Sequence, residues 1–208
     1  YGILMQHTED CIIQLNTLIN NYISIYGITA ATWHHAVSNN TINGKSIGYF
    51  WNVQNEILDF QEYGSLIIAN CYNVTIKDGN FSNTRIGILM GFCTNCCISQ
   101  SFFQNDSIGL YLDRARNCTI KNCVARLCGT GVSINSYNCD IQDSYFDHNS
   151  VGLFIMSCQN ATISNNTVAH STDTGIELFN TMNLLVKNNT ISNNANSGIL
   201  LDYSRNNT

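Results

Sequence analysis

Between Asn73 and Asn206 the alternation of apolar and polar positions repeats about every 22 residues. Each repeat holds three short stretches in which alternate residues are apolar. The first carries Val74/Ile76, Cys96/Ile98, Cys118/Ile120, Cys139/Ile141, Ala161/Ile163 and Leu184/Val186. The second places Phe81, Phe103, Phe146, Val168 and Ile191 at one recurring position. The third carries Ile88/Met90, Leu110/Leu112, Val132/Ile134, Leu153/Ile155, Ile176/Leu178 and Ile199/Leu201. A period of two marks one face of a strand, so the pattern predicts three short strands per repeat.

Polar punctuation keeps the same step. Asparagines fall at Asn73, Asn95, Asn117, Asn138, Asn160, Asn183 and Asn206, and glycines at Gly87, Gly109, Gly131, Gly152, Gly175 and Gly198. Three inward-facing strands per turn make one coil of a parallel β-helix, and a period in the low twenties fits that solenoid. The rival at this length, a leucine-rich repeat, is missing its Leu-x-x-Leu-x-Leu frame, and the apolar positions favour β-branched residues. In the β-helix a stacked Asn bonds through its amide to the coils above and below while tolerating a left-handed corner. Gly is expected to do the second of these jobs without a side chain.

Residues 1–72 carry the pattern in irregular form, and residues 73–208 carry it regularly. Gly2-Ile-Leu-Met matches Gly87-Ile-Leu-Met, Asp10-Cys-Ile-Ile matches Asn95-Cys-Cys-Ile, and His35 to Ile42 resembles Ala161 to Val168. Gly27, Gly48 and Gly64 extend the glycine series upward, the last two so close together that one coil has lost most of a turn or a strand. The expected fold is all-β: one right-handed parallel β-helix domain over 1–208, with nine or ten coils stacked to a length of about 45 Å.

These repeats, such as Asn117-Cys-Thr-Ile-Lys-Asn and Gly198-Ile-Leu-Leu-Asp-Tyr-Ser, resemble the right-handed parallel β-helix repeats of the NosD and pectate-lyase-like superfamily. The resemblance covers about two-thirds of the chain and implies the fold and its right hand, in line with the usual crossover rule. It implies little about activity, since such folds include polysaccharide lyases and hydrolases, periplasmic proteins and adhesins. In its Asn-, Cys- and Tyr-rich character the chain is most similar to archaeal cell-surface or sheath proteins.

Composition narrows the partners. The chain of 208 residues has a net charge of -5 from few ions, with no basic stripe, so nucleic acid is not an expected partner. No window is long and apolar enough for a membrane-spanning helix. A first residue of Tyr1 instead of Met fits a processed or excised chain. Ten cysteines together with many Asn-x-Ser/Thr sequons point to export and a place outside the cell or on its surface. Asn80 and Asn105, off the asparagine ladder, are the glycosylation candidates. The absence of proline suits a backbone whose donors are nearly all committed to neighbouring coils.

The cysteines fall on the ladder. Cys96, Cys118 and Cys139 share one inward position, with Cys11 equivalent in the first coil, while Cys71, Cys93 and Cys158 share another. Stacked residues lie about 4.8 Å apart at Cα, within disulfide reach. Cys71–Cys93 is the leading intrachain pair, with buried unpaired thiols the alternative for the inner ladder. Cys97, Cys123, Cys128 and Cys158 remain as thiols able to link chains. No cofactor is expected. The weak metal candidates are His148, His170 and Cys128, near Asp147 and Asp173, with a solvated loop as the plainer reading.

Catalysis on polysaccharides calls for paired carboxylates, or acidic calcium ligands with a base, on one outer face. Asp78 and Asp143 share a position three coils apart, Asp113 and Asp202 four apart, and Arg126 with Asp147 reads as a surface ion pair. No catalytic constellation emerges. Phe81, Phe103 and Phe146 read as core, whereas Tyr111, Tyr137, Tyr145 and Tyr203 lie off that ladder and are free to meet a glycan or a neighbouring subunit.

The leading expectation is therefore a non-enzymatic component of an extracellular envelope, sheath or surface layer. It would self-assemble end to end or laterally through open coil ends and disulfides. The alternative is a carbohydrate-binding or polysaccharide-processing β-helix domain, with glycans as its partners.

Overall fold

The computed structural model describes residues 2–59 and 62–208; Tyr1 lies outside them. It is a right-handed parallel β-solenoid of about nine turns. Among the described residues the one helical element is the three-residue 3-10 turn Ala31–Trp33. No helix among the described residues is long and apolar enough to cross a membrane.

Three sheets run along the solenoid: a long one of ten strands, parallel except at a single antiparallel pairing, and two short parallel ones of seven and six. The apolar pairs enter as the alternation predicts. Val74, Ile76, Phe81, Ile88 and Met90 of one coil are fully buried, and their equivalents stack on them in register. Phe81 and Phe103 stack at 5.4 Å between ring centroids, so the Phe81, Phe103 and Phe146 ladder is core. Only the last coil departs, with Ile199 and Leu201 exposed at its edge.

The first forty residues do not continue the stack. Strands β1 (Ile3–Gln6), β2 (Cys11–Gln14) and β3 (Thr17–Leu18) make one turn, and β4 (Ile23–Tyr26), β5 (His35–Ser38) and β6 (Thr41–Ile42) a second. The chain then reverses: β6 meets β7 (Lys45–Trp51) antiparallel through Asn43 and Gly44, both at positive φ. An Asn-Gly pair is the preferred two-residue hairpin loop because both positions tolerate positive φ. The two-turn unit consequently curls over the outer face of the long sheet. Met5, Ile23, Ile25 and Trp33 form a second core with Ile67, Ala69 and Leu89, which point away from the main core. Strand β9 (Tyr63–Ala69) is thus covered on both faces, Leu66 and Ile68 inward and Ile67 and Ala69 outward, which suits its unbroken apolar run.

The count of about nine turns is the expected one, and what changes is the single stack. Two of the turns lie beside it, and the seven strands of the first short sheet give the main stack a length of roughly 30 Å. The shortened coil is real. Among the described residues the second short sheet starts only at Asn80–Ser82, so the coil of β7 and β8 (Ile57–Asp59) contributes no strand to it.

The glycine ladder is present, with a different cause from the one expected. Gly44 is the sole described glycine at positive φ. At Gly87, Gly109, Gly131, Gly152 and Gly175 a Cβ would sit 2.6 Å from the carbonyl oxygen of the next glycine in the column. These residues let successive coils approach. Gly48 and Gly64 are not members: Gly48 pairs with Leu66 at an inward place, and Ser65 stands opposite Gly87's column.

The left-handed corners are built by other residues, in four columns per coil. One is the asparagine ladder, where amides bond along the stack, as from Asn73 to Asn55 at 2.9 Å and Asn138 to Asn117 at 3.1 Å. A second runs Asp78, Gln100, Asn122, Asp143, Asn165, Asn188, and a third Asn83, Asn105, Leu127, His148, His170, Asn193. The fourth holds Asn70, Phe92, Arg114, Ser157, Asn180 and Tyr203. Asn105 therefore belongs to a ladder after all, its amide donating to Asn83 at 2.7 Å, and Asn80 is the exposed sequon asparagine off the corners.

Each corner is followed by an inward residue that plugs the bend. Asn149 accepts from the Cys128 N–H at 2.9 Å and donates to the Ala125 carbonyl at 3.0 Å. Asn166 donates likewise to Ile141, and Asn194 to Val168. Cysteines take the same places. Cys93 Sγ reaches the Gly91 and Ile68 carbonyls, and Cys123 Sγ those of Lys121 and Ile98. The cysteine ladders are plugs, and all ten cysteines are free thiols. The expected Cys71–Cys93 disulfide is not formed: Cys71 Sγ bonds to the Ala69 carbonyl at 3.3 Å instead. Cys96, Cys118, Cys139, Cys128 and Cys158 are buried as well. Burial pushes the Cys123, Cys128 and Cys158 thiols up to about 12, away from the reactive thiolate. Labelling of native protein with a thiol reagent should modify the half-buried Cys11 and Cys97, the remaining eight reacting only after unfolding; mobility on gels should not change with reductant.

Asp106 is the imperfect plug. Its Oδ1 accepts from Thr84 N–H and hydroxyl, but its buried Oδ2 has no partner. Burial pushes the carboxyl up to about 6, against the Thr84 bonds. Its folded value lies above the unfolded 3.8, so its contribution to stability is complete below pH 3.8 and is lost as pH rises through about 6. Asn in this place would donate to the Phe81 carbonyl, as Asn149 and Asn194 do to theirs. Asp106→Asn should raise stability at neutral pH by about 1–2 kcal/mol and flatten that part of the pH profile in denaturant titrations.

Candidate functional site

The residue just before each ladder asparagine points outward, and these residues form their own column. Parallel bridges link Gln54, Tyr72, Thr94, Arg116, Tyr137, Gln159, Met182 and Arg205, one per coil. Beside it runs the corner column of Phe92, Arg114, Ser157, Asn180 and Tyr203. Between the two lies a groove parallel to the helix axis. Along it lie a depression of about 430 Å³ lined by Ile28, Phe92, Thr94, Arg114, Arg116 and Tyr137, and one of about 360 Å³ that shares Tyr137 as a lining residue and reaches Tyr203 and Arg205. The two-turn unit closes one end, where Ile28 stands and the Gly27 carbonyl accepts from Arg114 at 3.0 Å.

Its chemistry is cationic and aromatic. Three of the chain's five arginines lie here, and no carboxylate is among the lining residues. Arg116 lies over the Tyr137 ring at 5.9 Å and Arg114 over Phe92 at 5.8 Å. Such stacking holds a guanidinium plane while leaving donors for a ligand. Arg114 is also paired with buried Asp113 at 2.6 Å. Burial raises the Asp113 carboxyl, opposed by Arg114 and by the Asn135 amide. Arg116 and Arg205 are exposed and form no ion pair among the described residues.

Of the tyrosines singled out by sequence, Tyr137 and Tyr203 line the groove, exposed by 44% and 80%. Tyr111 is packed under the two-turn unit, its hydroxyl pushed up to about 12 by burial, and Tyr145 lies away on the second short sheet. The arginine column was missed, although the register that aligns the ladder asparagines aligns the residues before them. Asp113 and Asp202 share one column four coils apart, with Asn135, Met156 and Phe179 between, so they do not face each other across a scissile bond. Glu177 is raised by burial and then by the nearby Asp173 and Asp202.

The histidine candidates come together at the other end of the long strands. His148 Nδ1 and His170 Nδ1 each lie 2.8 Å from a different oxygen of the Asp147 carboxylate, and the rings stack at 4.8 Å. Burial alone would raise Asp147, but the His170 and His148 hydrogen bonds outweigh it and hold the carboxyl below its usual range. Cys128 does not join them, its buried thiol bonding to the Arg126 carbonyl. Nor does Arg126 pair with Asp147: its guanidinium bonds to Gln104 and covers Phe102 at 5.0 Å.

The sequence pattern of the right handed beta helix region matches residues 64–208. The chain belongs to this family. No curated protein matches it in sequence. Among solved structures of comparable shape, the Azotobacter vinelandii mannuronan C-5 epimerase AlgE6 A-module is 12% identical, with a TM-score of 0.55 over 95% of this chain and 68% of that one. The AlgE4 A-module from the same organism is 11% identical, with a TM-score of 0.54 over 95% and 70%. At such identities the likeness is one of fold.

Proposed function

We propose that this β-helix is a carbohydrate-binding domain whose axial groove holds an extended, carboxylated polysaccharide. The observation that carries the reading is the column of Arg116, Tyr137 and Arg205 with Tyr203 beside it, a cationic and aromatic strip on a chain of net charge -5. Coils repeat every ~4.8 Å, about the length of one sugar ring, so a polysaccharide along the axis meets one coil per sugar. Arginine forks match carboxylates, and tyrosine faces suit the apolar faces of sugar rings. The fold likeness to modules named for mannuronan epimerisation supports a glycan as ligand. The lining holds neither carboxylate nor histidine, which favours binding over processing. Such a ligand belongs outside the cell.

The envelope-building reading has less behind it. Eight of the ten thiols are buried plugs and unsuited to locking chains together.

Calorimetry with a soluble polyuronate and a neutral glucan tests the proposal. Binding should be selective for the polyuronate and weaken as salt rises. Arg116→Ala with Arg205→Ala should weaken it by more than about tenfold, as expected for lost charged hydrogen bonds, and Tyr137→Ala by about three- to tenfold. Equal affinity for the neutral glucan, or unchanged binding in the arginine variant, would overturn it.

A further inference from the structure

The Asp147, His148 and His170 cluster lies outside the groove, and its geometry points to a separate function. We propose that these three side chains form a binding site for a divalent transition metal of borderline softness, such as nickel, cobalt or zinc. The ligand atoms would be the two Nδ1 atoms and the Asp147 carboxylate.

The backbone assembles this set. His148 and His170 occupy one corner column at φ 52° and 53°, one coil apart, and Asp147 ends the strand before the first of them. Stacking of coils therefore brings both imidazoles over the same carboxylate. The three residues' donor atoms lie within 4.8 Å of one another. Each Nδ1 to carboxylate oxygen distance is 2.8 Å, close to the roughly 3 Å expected between neighbouring ligands on one ion with bonds of about 2.1 Å. The histidine rings are 57% and 45% exposed and Asp147 16%, so an ion can enter from solvent and keep water in its open positions. Two imidazoles and one carboxylate suit borderline metals better than calcium or magnesium, which prefer all-oxygen shells.

The tautomer is also arranged. Asn193 Nδ2 lies 3.3 Å from His170 Nε2; with the amide donating there, the His170 Nδ1 carries the hydrogen that Asp147 accepts. On metal binding that proton moves from Nδ1 to Nε2, and the Asn193 amide turns over to accept from it through its oxygen. Asn193 is thus a positioning residue for His170.

The test is a titration of the reduced protein with Co(II) or Ni(II) alone. Co(II) distinguishes the donors, because thiolate ligands add an intense near-ultraviolet charge-transfer band that nitrogen and oxygen ligands lack. Uptake of one equivalent without that band is expected. His148→Asn and His170→Asn should each weaken it by more than about tenfold. Both should still fold, since Asn83, Asn105 and Asn193 hold the same corner, and circular dichroism with thermal melting checks that. Asp147→Asn should weaken uptake as well. No uptake, a thiolate band, or binding that survives the His148→Asn/His170→Asn double variant would overturn the proposal.

Discussion

The structure depends on closing each coil in the same register as the one before it. A parallel ladder commits every amide to a neighbouring coil, so a corner one residue early or late would turn the apolar face outward. The chain meets this constraint with a left-handed residue at each bend and an inward plug after it. The plug ties the bend to the coil before it through that coil's N–H and carbonyl groups. Asn149 and Asn166 do so with both ends of an amide. Ser136 and Ser144 use a hydroxyl, and Cys93 and Cys123 a thiol. Nearly everything distinctive in the composition, the asparagine, serine and cysteine together, follows from that geometry.

Much of this is legible in the sequence. Alternation with a fixed period reveals the three strands, the inward ladder and the phenylalanine stack, because side-chain direction follows parity. The cysteines mislead because their spacing is equally that of stacked plugs and of stacked disulfides, and only the carbonyls around Cys71 and Cys93 distinguish the two. The glycines mislead in the same way. Conformational freedom and close approach select the same residue, and the 2.6 Å gap to the neighbouring carbonyl appears only once the coils are stacked.

The reversal at Asn43-Gly44 is a different kind of miss. The dipeptide is a strong hairpin signal, but His35 to Ile42 repeats the coil pattern of Ala161 to Val168, and that pattern does not encode which way the next coil winds. The candidate groove is half legible for a related reason. The alternation marks outward positions without ranking them, so Arg116 and Arg205 stand out only when the bridges bring them into one column beside Tyr137.

The two-turn unit has a consequence for how the groove is measured out. It folds over the long sheet and ends beside Arg114, so it acts as a fixed stop at one end of an otherwise modular track. Every coil beyond it carries its own corners and plugs and touches only its neighbours. Adding or removing one coil of about 22 residues would lengthen or shorten the track by one step without disturbing the stop. The ligand length the proposed groove would accommodate is thereby a matter of counting coils, adjustable by duplication and independent of any change in the chemistry of a single step.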